Sequence, residues 1–335
     1  MLPIASGHSR GFSPQRAWLT TLPGGAACLT NREFTEVAAT FFGVASPCLA
    51  PHVGRSIWRS SRTVDAFGHV FFTDGVLLNR ASARTRWHDC FAATIVGSLQ
   101  QAGIPHDHEV LGAFADLVPI EEAAAFYEGH TTRGSRRGLI PDLKIMPGGL
   151  APQLADVKTI GFSRTRYGST TGRRGSLNSL PCDTRAWLVD NEYRRATRKL
   201  DAKFYPNEAS PGPFERRLAS FGTVVGLVTG YFGEMSKGAH ELLDLAAEGI
   251  AGKSWVEAGA TSLTHAKAIQ KQRLYRTWGV TSVREVARIK LEGLNFVGVQ
   301  MAPPPGFDMN SALNQARDEA YARAARGTDG SFGIA

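Results

Sequence analysis

Two carboxylates and a lysine within residues 138–161 are the side chains whose types and spacing best suit chemistry. Asp142 follows Pro141 at the start of one short apolar run, and Asp156 stands inside a second, two positions before Lys158. Residues two apart on a β-strand point to the same face, so Asp156 and Lys158 are expected to project together. Two acids and a lysine at one sheet edge can bind a hard divalent cation and activate a water, which is the chemistry of phosphodiester hydrolysis.

In such a site, three residues would be metal ligands and one would act on the phosphate or the water. Asp142 and Asp156 can each supply a carboxylate oxygen to Mg²⁺ or Mn²⁺, and the carbonyl of Val157, beside both side chains, is a further candidate oxygen. Lys158 can stabilise the pentavalent phosphate or help to deprotonate the attacking water. Charged groups on a strand otherwise suited to burial are costly unless they are paired or bind a metal. The pattern therefore favours a catalytic site over incidental surface residues.

The elements that must position these residues follow from hydrophobic periodicity and turn signals. The predicted order is a helix over 84–102, strands over 108–118, 139–146 and 153–160, a helix over 185–204 and a strand over 223–231. The sequence Pro147-Gly148-Gly149 predicts a hairpin turn between the second and third strands. This order predicts an α/β fold in which a mixed four-stranded sheet is flanked by helices.

The sequence predicts three regions along the chain. Residues 1–80 are expected to be largely irregular, apart from a helix over 33–43 and a strand around His69–Phe72. Residues 81–252 form the core, which includes a helix over 237–250. Residues 253–335 are expected to form a helical C-terminal extension and tail, with helices at 262–277, 281–292 and around 310–325.

The paired motifs Pro141-Asp142 and Asp156-Val157-Lys158 resemble those of the PD-(D/E)XK, or restriction-endonuclease-like, nuclease superfamily. Within it, the sequence is most similar to the restriction-like endonuclease domains of transposable elements, because Arg86-Trp87-His88-Asp89 opens the first core helix in the corresponding place. The likeness covers about residues 45–250. It implies a restriction-endonuclease-like core of order αβββαβ and Mg²⁺-dependent cleavage of DNA, with Mn²⁺ as the other candidate ion.

The resemblance also implies a further acidic residue from the first helix or first strand. Glu109, at the start of the predicted first strand, is our candidate for this third catalytic acid. His88 and Asp89 on the preceding helix are the alternatives.

A Cys/His knuckle precedes the catalytic motifs in the domains that this chain resembles. Cys48, His52 and His69 stand in that region, but Thr73 occupies the place expected for the final cysteine. Tetrahedral structural zinc takes four ligands. We therefore do not expect a structural zinc ion here.

Basic residues indicate DNA as the partner. The chain has 335 residues and a formal net charge of +8, which favours a polyanion. Two loops on either side of the metal-site strands carry seven candidate phosphate-binding arginines: Arg133, Arg136, Arg137, Arg164, Arg166, Arg173 and Arg174. Tyr167 in the second loop is a candidate for stacking on a base or sugar. The helix face with Arg194, Arg195, Arg198 and Lys199 could extend this surface.

Composition indicates the cellular compartment in which the protein is expected. Four cysteines are widely spaced without a CxxC pair, which indicates a reducing, intracellular compartment, nuclear if the organism is eukaryotic. No apolar run approaches the length of a membrane span, so we expect no membrane association. A homodimer is compatible with the sequence.

Three functions stay open at this point. The leading prediction is a Mg²⁺-dependent DNA endonuclease of mobile-element origin, although the sequence has no reverse transcriptase signature. The second is a catalytically inactive nucleic-acid-binding protein on the same fold. The third is a structural or assembly protein of a mobile element or virus.

Overall fold

A computed structural model describes residues 28–74, 82–123, 139–146, 148, 151–163, 167, 180–256 and 259–298. The described helices are α1 (Asn31–Phe42), α2 (Val70–Thr73), α3 (Ser82–Ala102), α4 (Leu180–Phe204), α5 (Pro213–Ser220), α6 (Lys237–Ser254) and α7 (Leu263–Gly293). The described strands are β1 (His106–His108), β2 (Leu143–Ile145), β3 (Gln153–Ile160) and β4 (Val225–Gly230). Among these helices, none combines the length and the apolar composition needed to cross a membrane.

The four described strands form one mixed sheet in the order β1-β2-β3-β4. The pairs β1/β2 and β2/β3 are antiparallel, whereas β3 and β4 are parallel. A parallel pair needs a long crossover connection, and α4 followed by α5 provides it. The predicted α/β class and the mixed four-stranded sheet are therefore confirmed.

The register of the central hairpin brings the two candidate acids side by side. Leu143 pairs with Ala155 across β2 and β3. Continuing this antiparallel register by one residue places Asp142 opposite Asp156. The separation of 14 positions between the two acids thus suits adjacent strands joined by a short turn.

Alternation along β3 divides its side chains between two apolar layers. Ala155 and Val157 belong to a buried cluster formed with α3, α6 and α7, whereas Leu154 belongs to a second cluster formed with α4 and α5. Because successive strand residues point to opposite faces, Asp156 points to the α4 side.

Helix α7, in the segment predicted as a C-terminal extension, contributes to the first of these clusters. We predicted two helices at 262–277 and 281–292, but one continuous helix spans both. Trp278, at the predicted break, is fully buried; its ring packs edge-on against Phe91, and its Nε1–H donates to Ser98 Oγ at 2.9 Å. Burial of this indole favours continuation of the helix through Gly279.

Two predicted strands are wrong. The segment around His69–Phe72 lies in the short helix α2, because the Asp65 carboxylate accepts the backbone N–H groups of Phe67, His69 and Val70 and turns the chain.

The strand predicted over 108–118 shares only His108 with β1, which spans His106–His108, and two short 3₁₀ turns follow in its place. Val110, Phe114 and Val118 recur every four residues and are all buried in the α4/α5 cluster. That spacing fits a coiled turn packed against helices better than the alternation of a strand.

Helix α5 was not predicted, because Pro206 and Pro213 indicated a break. Pro213 instead occupies the first turn of the helix, where a missing N–H costs nothing. The carboxylate of Asp201, from α4, accepts the N–H groups of Phe214 and Glu215 at 2.8 and 2.9 Å. A side chain distant in sequence therefore caps this helix.

Replacement of Trp278 by alanine tests whether α7 belongs to the core. We expect Trp278→Ala to lower the free energy of unfolding by about 3–5 kcal/mol, because it leaves a large cavity. Urea denaturation followed by circular dichroism measures the change. The matched control is Trp187→Ala on α4, whose side chain is 68% exposed and whose loss should change stability by no more than about 0.5 kcal/mol. Equal effects of the two substitutions would contradict the packing of α7.

Candidate active site

Asp142 lies immediately before β2 and bonds to the backbone of β3. Its Oδ2 accepts the N–H of Val157 at 2.7 Å. In a strand, the N–H and C=O groups of one residue point to the same neighbouring strand, so the Val157 carbonyl faces the same edge as Asp142. The Asp142 carboxylate and the Val157 backbone are therefore neighbours.

Asp156 is a buried acid with two side-chain partners. Its residue is 3% exposed. Lys158 Nζ forms an ion pair with Oδ2, and the hydroxyl of Tyr193 on α4 donates to Oδ1 at 3.4 Å. The predicted pairing of Asp156 with Lys158 is thus present. Tyr193 is a site residue that the sequence reasoning missed; the only signal for it is a polar hydroxyl on the buried face of α4.

Helix α3 contributes His88 to the site. Its Nε2 lies 3.1 Å from Asp142 Oδ2, and its Nδ1 lies 3.0 Å from Asp89 Oδ1. Two neighbours in sequence fix this part of the helix: Trp87 is fully buried, and Arg86 pairs with Glu285 on α7 at 2.7 Å. The imidazole therefore lies between two carboxylates on a firmly packed helix.

The two aspartates have opposite electrostatic environments. Burial acts to raise the pKa of Asp142, but the hydrogen bond and charge of His88, together with the charge of Lys158, outweigh it and lower that pKa. Burial raises the pKa of Asp156, and the charge of Asp142 adds to this, against the opposing charge of Lys158. Environments that separate the pKa values of paired acids are typical of acid–base sites.

The pKa of His88 is affected by both burial and charge. Burial acts to lower it, but the hydrogen bond to Asp142 and the charge of that carboxylate raise it above the ordinary histidine value. Where both ring nitrogens face carboxylates, the protonated form is favoured because it can donate from both.

The predicted third acid, Glu109, adjoins the site through its backbone. Its N–H donates to the carbonyl oxygen of Asp142 at 2.9 Å, and its φ of +50° lies in the left-handed region. The side chain is exposed. Among the three candidates for this role, His88 is the one that the structure places against the Asp142 carboxylate.

The oxygen donors of the site suit a hard divalent cation. Two carboxylates and the Val157 carbonyl match the ligand preference of Mg²⁺. Within the described ranges, no group of three or more His, Cys, Asp or Glu side chains is arranged to hold a metal ion. Each aspartate instead contacts a basic side chain: Asp156 contacts Lys158, and Asp142 contacts His88.

Residues of the predicted knuckle have other contacts. The ring of His69 stacks on Phe162 with 3.6 Å between centroids. Cys48 lies near Glu36 and Arg32, and burial followed by the charge of Glu36 raises its pKa.

The prediction that Tyr167 stacks on a base is wrong. Its side chain is buried, and its ring lies parallel to that of Phe162. Its hydroxyl bonds to the carboxylate of Glu234 and accepts the N–H of Tyr231 at 3.1 Å. Tyr167 therefore packs the chain after β3 onto the turn after β4.

The predicted DNA-binding loops cannot be compared with the structure. Arg133, Arg136, Arg137, Arg164, Arg166, Arg173 and Arg174 all lie outside the described residues. On α4, Arg194 pairs with Asp190 at 2.6 Å and Arg198 with Glu215 at 2.9 Å. These ion pairs reduce the positive charge that the helix face offers to a polyanion.

Comparisons with known proteins give no relative. No family model, curated protein or solved structure matches this chain.

Replacement of Asp142 by asparagine tests the His88 contact. We expect Asp142→Asn to lower the pKa of His88, because the substitution removes the charge that raises it. Histidine ring signals in an NMR pH titration report the change. The signal of His240, whose pKa burial lowers, is the control and should not move.

The same contact has a defined pH dependence. Because the folded-state pKa of His88 is raised, its contribution to stability is complete below the pKa of unfolded histidine and is lost as pH rises through the folded value. An unchanged His88 titration in the Asp142→Asn chain would contradict the arrangement.

Proposed function

We propose that this chain is a divalent-metal-dependent DNA endonuclease with a restriction-endonuclease-like core. The observation that carries the proposal is the meeting of Asp142, Val157, Asp156 and Lys158 on adjacent strands. The order of α3, the three antiparallel strands, α4 and the parallel β4 supports it, because it agrees with the core that the sequence motifs imply. An origin in a mobile element is part of the same proposal.

Each side chain has a role in the proposed reaction. Asp142, Asp156 and the Val157 carbonyl would hold Mg²⁺ or Mn²⁺, which when bound stabilises negative charge on the phosphate and activates a water. Lys158, adjacent to Asp156, would donate to a non-bridging phosphate oxygen. The Tyr193 hydroxyl fixes the orientation of Asp156, and His88 fixes that of Asp142.

Two substitutions test the function. We expect Asp142→Asn and Lys158→Met each to reduce the rate of plasmid cleavage in Mg²⁺ by about a hundredfold or more, because each removes a charge needed in the transition state. Agarose gel analysis of supercoiled, nicked and linear DNA measures the rate. The control is Lys237→Met, whose side chain is 73% exposed and forms an ion pair with Glu241 on the same helix. Wild-type cleavage by either site variant would refute the assignment.

A DNA-binding protein without cleavage is the second candidate. The contacts of Lys158 with Asp156 and of His88 with Asp142 favour it, because they neutralise both acids without a metal ion. Salt-sensitive DNA binding together with no cleavage in any divalent ion would select this function.

A further inference from the structure

Trp187 is an exposed aromatic side chain on the crossover helix α4. It is 68% exposed, although folding usually covers most of an indole. The side-chain amide of Asn191 donates to the Trp187 carbonyl oxygen at 3.2 Å, and this backbone contact leaves the ring itself uncovered. Most of the indole surface is therefore accessible to a partner.

Two cations lie on the same outward side of α4. At about 100° per residue, Arg195 and Lys199 lie about 80° and 120° around the helix from Trp187. At about 1.5 Å per residue, they lie about 12 and 18 Å from it along the axis. Both side chains are exposed. We call the surface formed by Trp187, Arg195 and Lys199 the outer face of α4.

The positive charge of Arg195 and Lys199 is not neutralised by an ion pair with any described residue. The other basic side chains of α4 each pair with an acid: Arg185 with Glu192, Arg194 with Asp190, Arg198 with Glu215 and Lys203 with Glu122. The remaining acids of the helix, Asp183 and Asp201, accept backbone N–H groups at the starts of α6 and α5. The outer face therefore has uncompensated positive charge along the helix from an exposed ring.

The outer face is separate from the candidate active site. Tyr193, whose hydroxyl donates to Asp156, lies on the buried side of α4. Arg195 is two residues further along, about 200° around the helix from Tyr193. A partner bound to the outer face thus lies on the side of α4 that is opposite to the acids.

We propose that the outer face of α4 binds single-stranded DNA, with an unpaired base stacked on Trp187 and phosphates bound by Arg195 and Lys199. Aromatic rings combined with cations bind single strands because each base has a π-face and each phosphate has a negative charge. In a duplex the bases stack on one another and do not offer this contact. At about 3.4 Å per nucleotide in a stacked strand, a face of about 18 Å accommodates about five nucleotides.

An anionic membrane also attracts tryptophan and cations, but α4 lacks the face that a membrane requires. A helix that lies in the membrane interface inserts a broad apolar face. The apolar side of α4, with Val189 and Tyr193, is buried in the core. The outward side of the described helix adds to Trp187 one large apolar side chain, Leu188, which is 36% exposed. The balance of charge and apolar area therefore favours a nucleic acid.

Photochemical cross-linking of the full wild-type chain tests the stacking directly. A single strand that contains 5-iododeoxyuridine is irradiated with the protein in the presence of a chelator, which prevents metal-dependent cleavage. Mass spectrometry then identifies the modified peptides. We expect modification of Trp187 by the single strand and much less by the same strand annealed to its complement. This comparison needs no substitution, so it does not depend on the folding of a variant.

Replacement of Trp187 by alanine measures the contribution of the stacked base. Fluorescence anisotropy with a labelled strand, again in chelator, gives the affinity. We expect Trp187→Ala to bind the single strand about tenfold more weakly and the duplex as wild type does, because stacking of one base is lost. The matched control is Trp255→Ala, at the end of α6, whose side chain is 40% exposed and whose loss should change neither affinity.

Replacement of both cations tests the phosphate contacts. For Arg195→Gln combined with Lys199→Gln, the slope of log affinity against log salt should become shallower by about 1.4, since each lost contact with a single strand contributes about 0.7. The control combines Lys237→Gln with Lys267→Gln, which removes the same charge from α6 and α7 and should keep the slope.

Three outcomes would overturn the proposal: no binding of the single strand by the wild-type chain, wild-type affinity in Trp187→Ala, or an equal loss of affinity for single strand and duplex. Binding of anionic vesicles that is lost in Trp187→Ala, while binding of the single strand is kept, would assign the face to a membrane instead. None of these outcomes affects the proposed endonuclease, because every measurement is made without a free divalent ion. Plasmid cleavage by the Asp142 and Lys158 variants tests that function separately.

Discussion

A single buried carboxylate, that of Asp156, constrains the structure around it. A charge in the middle of an apolar strand is stable only with partners that compensate for lost solvation. Lys158, two residues along the same face, supplies the opposite charge, and Tyr193 supplies a hydroxyl from the crossover helix α4. The burial of this acid therefore ties β3 to α4, and the register with β2 places Asp142 beside it. In the proposed function, the two acids that this arrangement brings together would bind the cation.

Helices far from the strands in sequence complete the arrangement. Glu285 on α7 pairs with both Arg86 on α3 and Arg288 on its own helix, and Arg288 pairs with Glu33 on α1. Glu285 and Glu33 are buried, so removal of one partner would leave a charge without compensation. This chain of ion pairs connects the first and last described helices to the turn of α3 that carries His88. The segment predicted as an extension thus supports the site.

Local sequence patterns were sufficient to predict the central strands and the helix α3. The acids of β2 and β3 lie in short apolar runs with a turn signal between them, and the periodicity of α3 is helical over its whole length. The strand predicted around His69–Phe72 is wrong because the nearby Asp65 side chain accepts backbone N–H groups there, a local contact that hydrophobic periodicity does not indicate. The strand predicted over 108–118 is wrong because of long-range packing against α4 and α5. Tyr193 and Tyr167 have partners distant in sequence, Asp156 and Glu234, so no local pattern could assign their roles.

The central claim is that the paired acids and Lys158 form a metal-dependent hydrolytic site. The most direct measurement is cleavage of supercoiled plasmid by the wild-type chain while Mg²⁺ or Mn²⁺ is titrated from zero. The account predicts nicked and linear products whose rate of formation rises with the ion to saturation and stops when a chelator is added. Intact plasmid at every ion concentration, with DNA still bound in a salt-sensitive manner, would contradict it.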